Sequence, residues 1–114
     1  MATEKKIFEL EKVIASCRHL DPNELLTLLT FDRNIFWSWG VSQKHYLNKK
    51  ALRLRVSGHH HKGYVYIVVN GMDLFDVYLT TIHDVIKTEI SGLYFDQLVE
   101  WIDEKVEKIA AYKS

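Results

Sequence analysis

The chain carries Asn70-Gly71 between two apolar runs, YVYIVV (64–69) and MDLFDVYLT (72–80), and this arrangement constrains the fold more than any other feature. Asn-Gly between two such runs is a strong signal for a β-hairpin. A two-residue turn would place Asp76 beside the core face. A three-residue loop, with Gly71 in the left-handed conformation forming a bulge, shifts the pairing by one residue. Because the hydrophobic pattern sets strand register, we predict the bulged loop, with Val65, Ile67, Phe75, Val77 and Leu79 on the core face and Tyr64, Tyr66, Asp76 and Tyr78 on the other.

Two earlier segments also have strand patterns. ALRLRVS (51–57) alternates strictly, which predicts a strand with one apolar and one polar face. The apolar face carries Leu52, Leu54 and Val56, and the polar face carries Arg53, Arg55 and Ser57. NIFWSWGV (34–41) predicts another strand, and large aromatics in a small domain predict that Trp37 or Trp39 lies in the core. Its proposed apolar side consists of Ile35, Trp37, Trp39 and Val41. The polar residues 42–50 are predicted as a loop.

Helix signals occupy both ends of the chain. Ile7, Leu10, Ile14 and Cys17 recur at helical spacing and predict a helix over 4–18. Asp21-Pro22 predicts the start of a second helix, because Asp caps helices and Pro is favoured at the first helical position. After Ser91-Gly92, taken as a helix start, an amphipathic pattern predicts a helix over about 93–111. Its apolar stripe consists of Phe95, Leu98, Val99, Ile102, Val106 and Ile109.

His83-Asp84 predicts a tight turn into a last strand, with Ile86 and Ile90 on the core face. The elements together predict an α+β fold: two N-terminal helices, an antiparallel meander of about four to five strands and one C-terminal amphipathic helix. A length of 114 residues and a hydrophobic content of 47% favour a single domain over 1–114 with a sizeable core.

Composition also bears on where the protein works. No apolar stretch approaches the ~18 residues that span a bilayer, and MATEKKIFEL lacks the pattern of a signal peptide. The single Cys17 excludes an internal disulfide, which fits a reducing compartment. We therefore expect a cytoplasmic protein that does not associate with a membrane.

Charge is sorted along the chain. Residues 33–62 contain seven Lys or Arg, four of the six His and no Asp or Glu, although the whole chain has zero formal net charge. Such sorting predicts an electrostatic face. We interpret it as a site for nucleic acid or another anionic partner, in which cations contact phosphates and two tyrosines stack. The candidate residues are Lys44, Lys49, Lys50, Arg53, Arg55, Lys62, Tyr64 and Tyr66.

The segment KGYVYIVV (62–69) resembles the first ribonucleoprotein signature of RNA-recognition-motif domains, which is basic-Gly-aromatic-small-aromatic-aliphatic-x-aromatic. Val65 stands where Gly or Ala is expected, and Val69 stands where the last aromatic is expected. That family has a helix between its first two strands, and residues 42–50 are too few to form one. The resemblance therefore implies stacking by Tyr64 and Tyr66 without implying the family's fold.

Three other interpretations follow from the sequence. The Arg–Tyr pairs are also ordinary stabilising neighbours on a sheet, and the N-terminal helices or a second subunit could cover them. A protein–protein module or homodimer, in which the basic face docks on an acidic partner or on the acidic C-terminal helix of a second copy, is the main alternative. His59 and His61 are weak metal candidates, since a metal site needs three or four ligands. We recognise no catalytic motif and expect neither an enzyme nor a cofactor.

Overall fold

The computed structural model describes residues 6–31, 33–58 and 60–106. It confirms the predicted α+β class. Its helices and strands are, in chain order, α1 (Leu10–Ile14), α2 (Pro22–Leu29), α3 (Arg33–Ser38), β1 (Gln43–Leu47), β2 (Ala51–Ser57), β3 (Lys62–Val69), β4 (Phe75–Thr80), β5 (Ile86–Leu93) and α4 (Phe95–Val106). The strands form one antiparallel meander in the order β1-β2-β3-β4-β5.

The β3–β4 hairpin has the predicted face assignment. Val65 pairs with Leu79 and Ile67 with Val77, so the predicted apolar residues share one face. The Asn70 N–H donates to the Leu74 carbonyl at 2.8 Å and closes a three-residue loop. The left-handed residue is Asp73 (φ 64°), so the assignment of that conformation to Gly71 was wrong. Asp tolerates this conformation because its short polar side chain bonds locally.

The main core lies between one face of the sheet and helices α2 and α4. Asp21 caps α2 as predicted, since its Oδ1 accepts hydrogen bonds from the Asn23 and Glu24 N–H groups at 2.9 and 3.3 Å. On this core face, helix α4 approaches the end of β2 so closely that a Cβ at Gly58 would lie 2.4 Å from the Val106 carbonyl oxygen. The fully buried residues of α2 and α4 are Leu29, Leu98, Ile102 and Val106.

The predicted strand over 34–41 was wrong, because residues 33–38 form helix α3. Phe36 and Trp39 are both fully buried, a spacing of three residues that suits a helical turn. Trp37 is exposed, so the two tryptophans do not share a side. The expectation that one Trp lies in the core is met by Trp39, whose Nε1 donates to Asp103 Oδ1 at 3.0 Å.

The predicted loop over 42–50 was also wrong, since it contains β1. Gln43 pairs with Arg55 and Leu47 with Ala51. Residues 48–50 form the turn: Asn48 and Lys49 have positive φ, 51° and 60°, and the Lys50 N–H donates to the Leu47 carbonyl at 3.0 Å. The sequence predicted a loop because β1 is an edge strand whose residues are half-buried or exposed, so the segment lacks an apolar strand pattern.

The N-terminal prediction was only partly correct. Of the predicted helix over 4–18, the described part is helical at Leu10–Ile14 alone. Residues 6–8 are extended and bond to the β4–β5 turn: the Phe8 N–H donates to Asp84 O and the Ile86 N–H donates to Lys6 O, both at 2.7 Å. Apolar spacing predicted one helix because the partner that fixes this segment lies far along the chain.

The last part of the chain follows the prediction with three differences. The turn at His83-Asp84 is present, with Asp84 at φ 63°, and Ile90 packs against the core. Ile86 instead pairs with Thr80 beyond a register shift. Ser91-Gly92 belongs to β5, and Phe95, predicted in the apolar stripe, is 66% exposed. Ile109 lies outside the described residues. Within those residues, every helix is too short or too polar to cross a membrane.

Candidate functional site

The sheet face opposite α2 and α4, called the outer face, carries the predicted basic and aromatic residues of β2 and β3. Strand register places Arg53 beside Tyr66 and Arg55 beside Tyr64. Part of this face is covered by residues 6–18, called the N-terminal segment. Phe8 is 5% exposed, and its ring centroid lies 3.9 Å from that of Tyr66 in a stacked geometry. The face is therefore divided into a covered and an open part.

Tyr66 belongs to the covered part. It is 2% exposed, and its hydroxyl donates to Asp84 Oδ1 at 2.6 Å. Burial raises the pKa of Tyr66 to about 12, the bond to Asp84 adds to the rise, and the nearby Arg53 opposes it. Since Phe8 already occupies the ring face, Tyr66 offers no surface on which a nucleobase could stack in this conformation.

Arg53 lies at the boundary between the covered and open parts. Its guanidinium carbon is 4.5 Å from the centroid of the Tyr64 ring, a cation–π contact. Its Nη2 is 3.3 Å from His45 Nδ1, and its buried Nε has no hydrogen-bond partner among the described residues. Arg53 is thus held in place by Tyr64, and it limits what else can contact that ring.

The open part ends in a cleft of about 360 Å³, called the Arg55 cleft. Strands β2 and β3 supply its two cations, the exposed Arg55 and Lys62. Three hydroxyl groups join them, from Ser42, Ser57 and Thr81. The remaining lining residues are Val56, Gly63 and Ile82. None of the described residues that line this cleft is an Asp or a Glu, so the lining carries a net positive charge, which attracts anions.

The other three predicted lysines lie elsewhere. Lys44 is on the helix side of β1, where its Nζ is 5.9 and 5.8 Å from the ring centroids of Phe36 and Trp37. Lys49 lies in the β1–β2 turn, at the far end of β2 from the cleft. Lys50 donates from Nζ to the Ile14 carbonyl at 3.3 Å. The structure therefore brings together Arg53, Arg55, Lys62 and Tyr64, and it leaves the three lysines apart.

Ser42 and Thr81 are cleft residues that the sequence did not single out. Ser42 reaches the site because the chain beyond α3 runs along β2: the Ser57 N–H donates to Trp39 O and the Ser42 N–H donates to Arg55 O, both at 2.9 Å. Thr81 comes from the β4–β5 turn, where its Oγ1 accepts from Val85 N at 3.2 Å. An isolated hydroxyl residue has no sequence signal for this role, since only the fold brings it to the cations.

The histidine candidates give a different result. His61 is buried, and its Nε2 lies 3.2 Å from the Tyr64 carbonyl oxygen. Burial lowers the pKa of His61, backbone hydrogen bonds with Tyr64 and Thr80 oppose that shift, and Lys87 adds to it. His59 lies outside the described residues. In the part of the chain that is described, no three His, Cys, Asp or Glu side chains are grouped to hold a metal.

Cys17 is half-buried, and its Sγ donates to the Val13 carbonyl at 3.1 Å. Burial raises the pKa of this thiol, which keeps it protonated and weakly nucleophilic.

Comparisons with protein-family models, curated proteins and solved structures gave no match. What the Arg55 cleft binds is therefore inferred from its own chemistry.

Proposed function

We propose that the protein is a non-enzymatic binding module that holds the phosphate groups of a nucleic-acid strand at the Arg55 cleft. The observation that carries the proposal is the composition of the cleft lining: two cations, three hydroxyl groups and, among the described residues, no carboxylate. Arginine binds phosphate through a planar fork and lysine binds it as a point charge. Hydroxyl groups are common additional donors to phosphate oxygens.

Phosphate contacts rather than base stacking support this binding. Tyr66 is stacked on Phe8, and the ring of Tyr64 carries the Arg53 guanidinium. Backbone contacts do not read sequence, so we expect weak sequence preference. With two or three phosphates neutralised, the plot of log K against log salt for a single strand has a slope of about −1.4 to −2.1.

A fluorescence anisotropy titration tests the proposal. The probes are a labelled oligothymidylate of about 12 nucleotides and a duplex of the same length. A polyglutamate of equal charge shows whether any polyanion binds as well. Low and moderate salt are compared, because electrostatic binding weakens as salt rises. We expect the oligonucleotides to bind more tightly than polyglutamate, since carboxylate chains lack the phosphate geometry that an arginine fork matches.

Charge-matched variants locate the site. Arg55→Gln with Lys62→Gln removes both cleft cations and is expected to weaken oligonucleotide binding by about tenfold or more at low salt and to flatten the slope by about 1.4. Lys44→Gln with Lys49→Gln removes the same charge from exposed positions outside the cleft. This variant is expected to keep the oligonucleotide affinity and the salt slope near those of the wild type. Equal losses in the two variants, or no binding at micromolar protein and low salt, would contradict the proposal.

The alternative is a homodimer in which the basic face docks on helix α4 of a second copy. One acid of that helix, Asp103, is bonded to Trp39, whereas Glu100 and Glu104 are exposed. Static light scattering across protein and salt concentrations separates the alternatives. A dimer that dissociates in Arg55→Gln with Lys62→Gln supports the homodimer and assigns the cleft to self-association.

A further inference from the structure

On the side of the molecule that carries α2 and α4, an apolar groove runs between these helices. It consists of two adjoining cavities, of about 380 and about 180 Å³, which share Leu28 and Phe95 in their linings. Leu25 and Phe75 also line the larger cavity, and Phe31 and Val99 also line the smaller one. Because the two cavities share lining residues, they form one depression, called the α2–α4 groove.

The groove exposes two large aromatic side chains. Phe31 is 92% exposed and Phe95 is 66% exposed, and both line the same cavity. Single exposed apolar residues are normal on a protein surface, whereas a contiguous apolar patch with a polar rim marks an interaction site. Phe95 stands at the first residue of α4 but faces this depression instead of joining the buried stripe of the helix.

The charged groups around the groove have one sign. Asp21 and Glu24 line the larger cavity and Asp96 lines the smaller, and no described lining residue is Lys or Arg. His19 also lines the larger cavity. An apolar depression between acidic rims complements a partner that presents apolar side chains beside Lys or Arg.

We infer that the α2–α4 groove binds an amphipathic helical segment of another protein, with apolar anchors one turn apart and basic residues flanking them. Two adjoining cavities suit two anchors, because residues at i and i+3 or i+4 project from the same face of a helix. The groove shares no lining residue with the Arg55 cleft, so the inference stands independently of phosphate binding.

Two synthetic peptides of about 15 residues serve as probes. Both place Leu and Phe at i, i+3, i+4 and i+7, and the flanking positions carry Lys in one peptide and Glu in the other. Binding is measured by fluorescence anisotropy at near-neutral pH. We expect micromolar binding of the Lys peptide and binding of the Glu peptide that is weaker by about tenfold or more.

Matched variants test the apolar contacts. Phe31→Ser is expected to weaken binding of the Lys peptide by about tenfold, as for an exposed aromatic anchor. Met72→Ser removes an apolar side chain that is 80% exposed in the β3–β4 loop and is expected to bind like wild type. Circular dichroism checks that both variants are folded.

A second pair of variants tests the acidic residues of the groove, independently of the Phe31→Ser variant. Glu24→Gln with Asp96→Asn is expected to weaken Lys-peptide binding by about three- to tenfold and to narrow the difference between the peptides. Glu100→Gln with Glu104→Gln makes the same charge change at exposed positions outside both cavity linings and is expected to have little effect.

Three results would overturn the inference. Absence of binding of the Lys peptide at about 100 µM is one, and equal binding of the two peptides is another. The third is a homodimer, seen by sedimentation equilibrium, that Phe31→Ser dissociates and Met72→Ser does not. That result would assign the groove to a second copy of the chain.

Discussion

At the scale of single residues, Phe8 and Phe31 have the same side chain and opposite surroundings. Phe8 is 5% exposed and stacks on Tyr66, whereas Phe31 is 92% exposed. Phe8→Ala is therefore expected to lower the free energy of unfolding by about 3 kcal/mol, and Phe31→Ala is expected to change it by less than about 0.5 kcal/mol. Urea denaturation followed by tryptophan fluorescence measures both, and a loss below about 1 kcal/mol for Phe8→Ala would show that the N-terminal segment is not docked as described.

His61 predicts a pH dependence of stability. Burial lowers its pKa in the folded protein, so the folded state binds this proton less readily than the unfolded chain does. The contribution of His61 to the free energy of unfolding is fully present above the pKa that a histidine has in the unfolded chain, about 6.5. It falls as the pH drops below that value and stops falling below the folded pKa.

Thermal melts between about pH 7.5 and pH 5 measure this effect. The wild-type melting temperature is expected to fall more steeply with acidification than that of His61→Gln, which lacks the titrating ring. The other histidines are present in both proteins, so the difference between the two curves isolates His61. Parallel curves would show that His61 does not favour its neutral form in the fold.

At the scale of elements, the close approach of β3 to β4 depends on Gly63. Its φ is 144°, and a Cβ there would lie 2.2 Å from the Thr80 carbonyl oxygen of the neighbouring strand. Gly63→Ala is expected to lower the free energy of unfolding by about 2 kcal/mol or more, since strained backbone adds to the overlap. Gly71→Ala is the control: its nearest atom beyond its chain neighbours is Ser16 O at 3.8 Å, and the expected change is under about 1 kcal/mol. Urea denaturation of both variants provides the comparison, and equal losses would contradict the close approach at Gly63.

Two segments show what local pattern can and cannot predict about the elements. In β3 and β4 only one register buries the apolar residues, so the sequence was sufficient to assign every face. In residues 34–41 apolar residues lie at positions 35, 36, 37, 39 and 41, so a period of two and a period of 3.6 both fit. The helical period prevails because the fold buries Phe36 and Trp39 and leaves Trp37 exposed.

The site was predictable to the extent that strand alternation governs it. Arg53, Arg55 and Tyr64 share the outer face as alternation requires. Burial of Tyr66 was not predictable, because Phe8 lies 58 positions away in sequence and reaches the sheet only through pairing with the β4–β5 turn. The separation of Lys44 from the cluster follows from β1, since a strand sends neighbouring residues to opposite faces.

At the scale of the whole molecule, the charge sorting along the sequence corresponds to two surfaces of opposite charge. The cations of the Arg55 cleft come from residues 55 and 62, and the acids of the α2–α4 groove come from residues 21, 24 and 96. The acid-free block 33–62 contributes no lining residue to the groove. Zero net charge therefore conceals two surfaces that would attract different partners.

This separation predicts that the two binding activities fail independently. Arg55→Gln with Lys62→Gln is expected to weaken oligonucleotide binding by about tenfold and to leave Lys-peptide binding within about twofold of wild type. Glu24→Gln with Asp96→Asn is expected to weaken Lys-peptide binding by about three- to tenfold and to leave oligonucleotide binding within about twofold of wild type. The two effects are independent because sites without shared residues contribute additively. In the four-substitution protein each probe should then show the same loss of binding free energy as in the corresponding double variant. Anisotropy titrations of both probes against all three variants measure this, and loss of both activities in either double variant would mean that one surface serves both ligands.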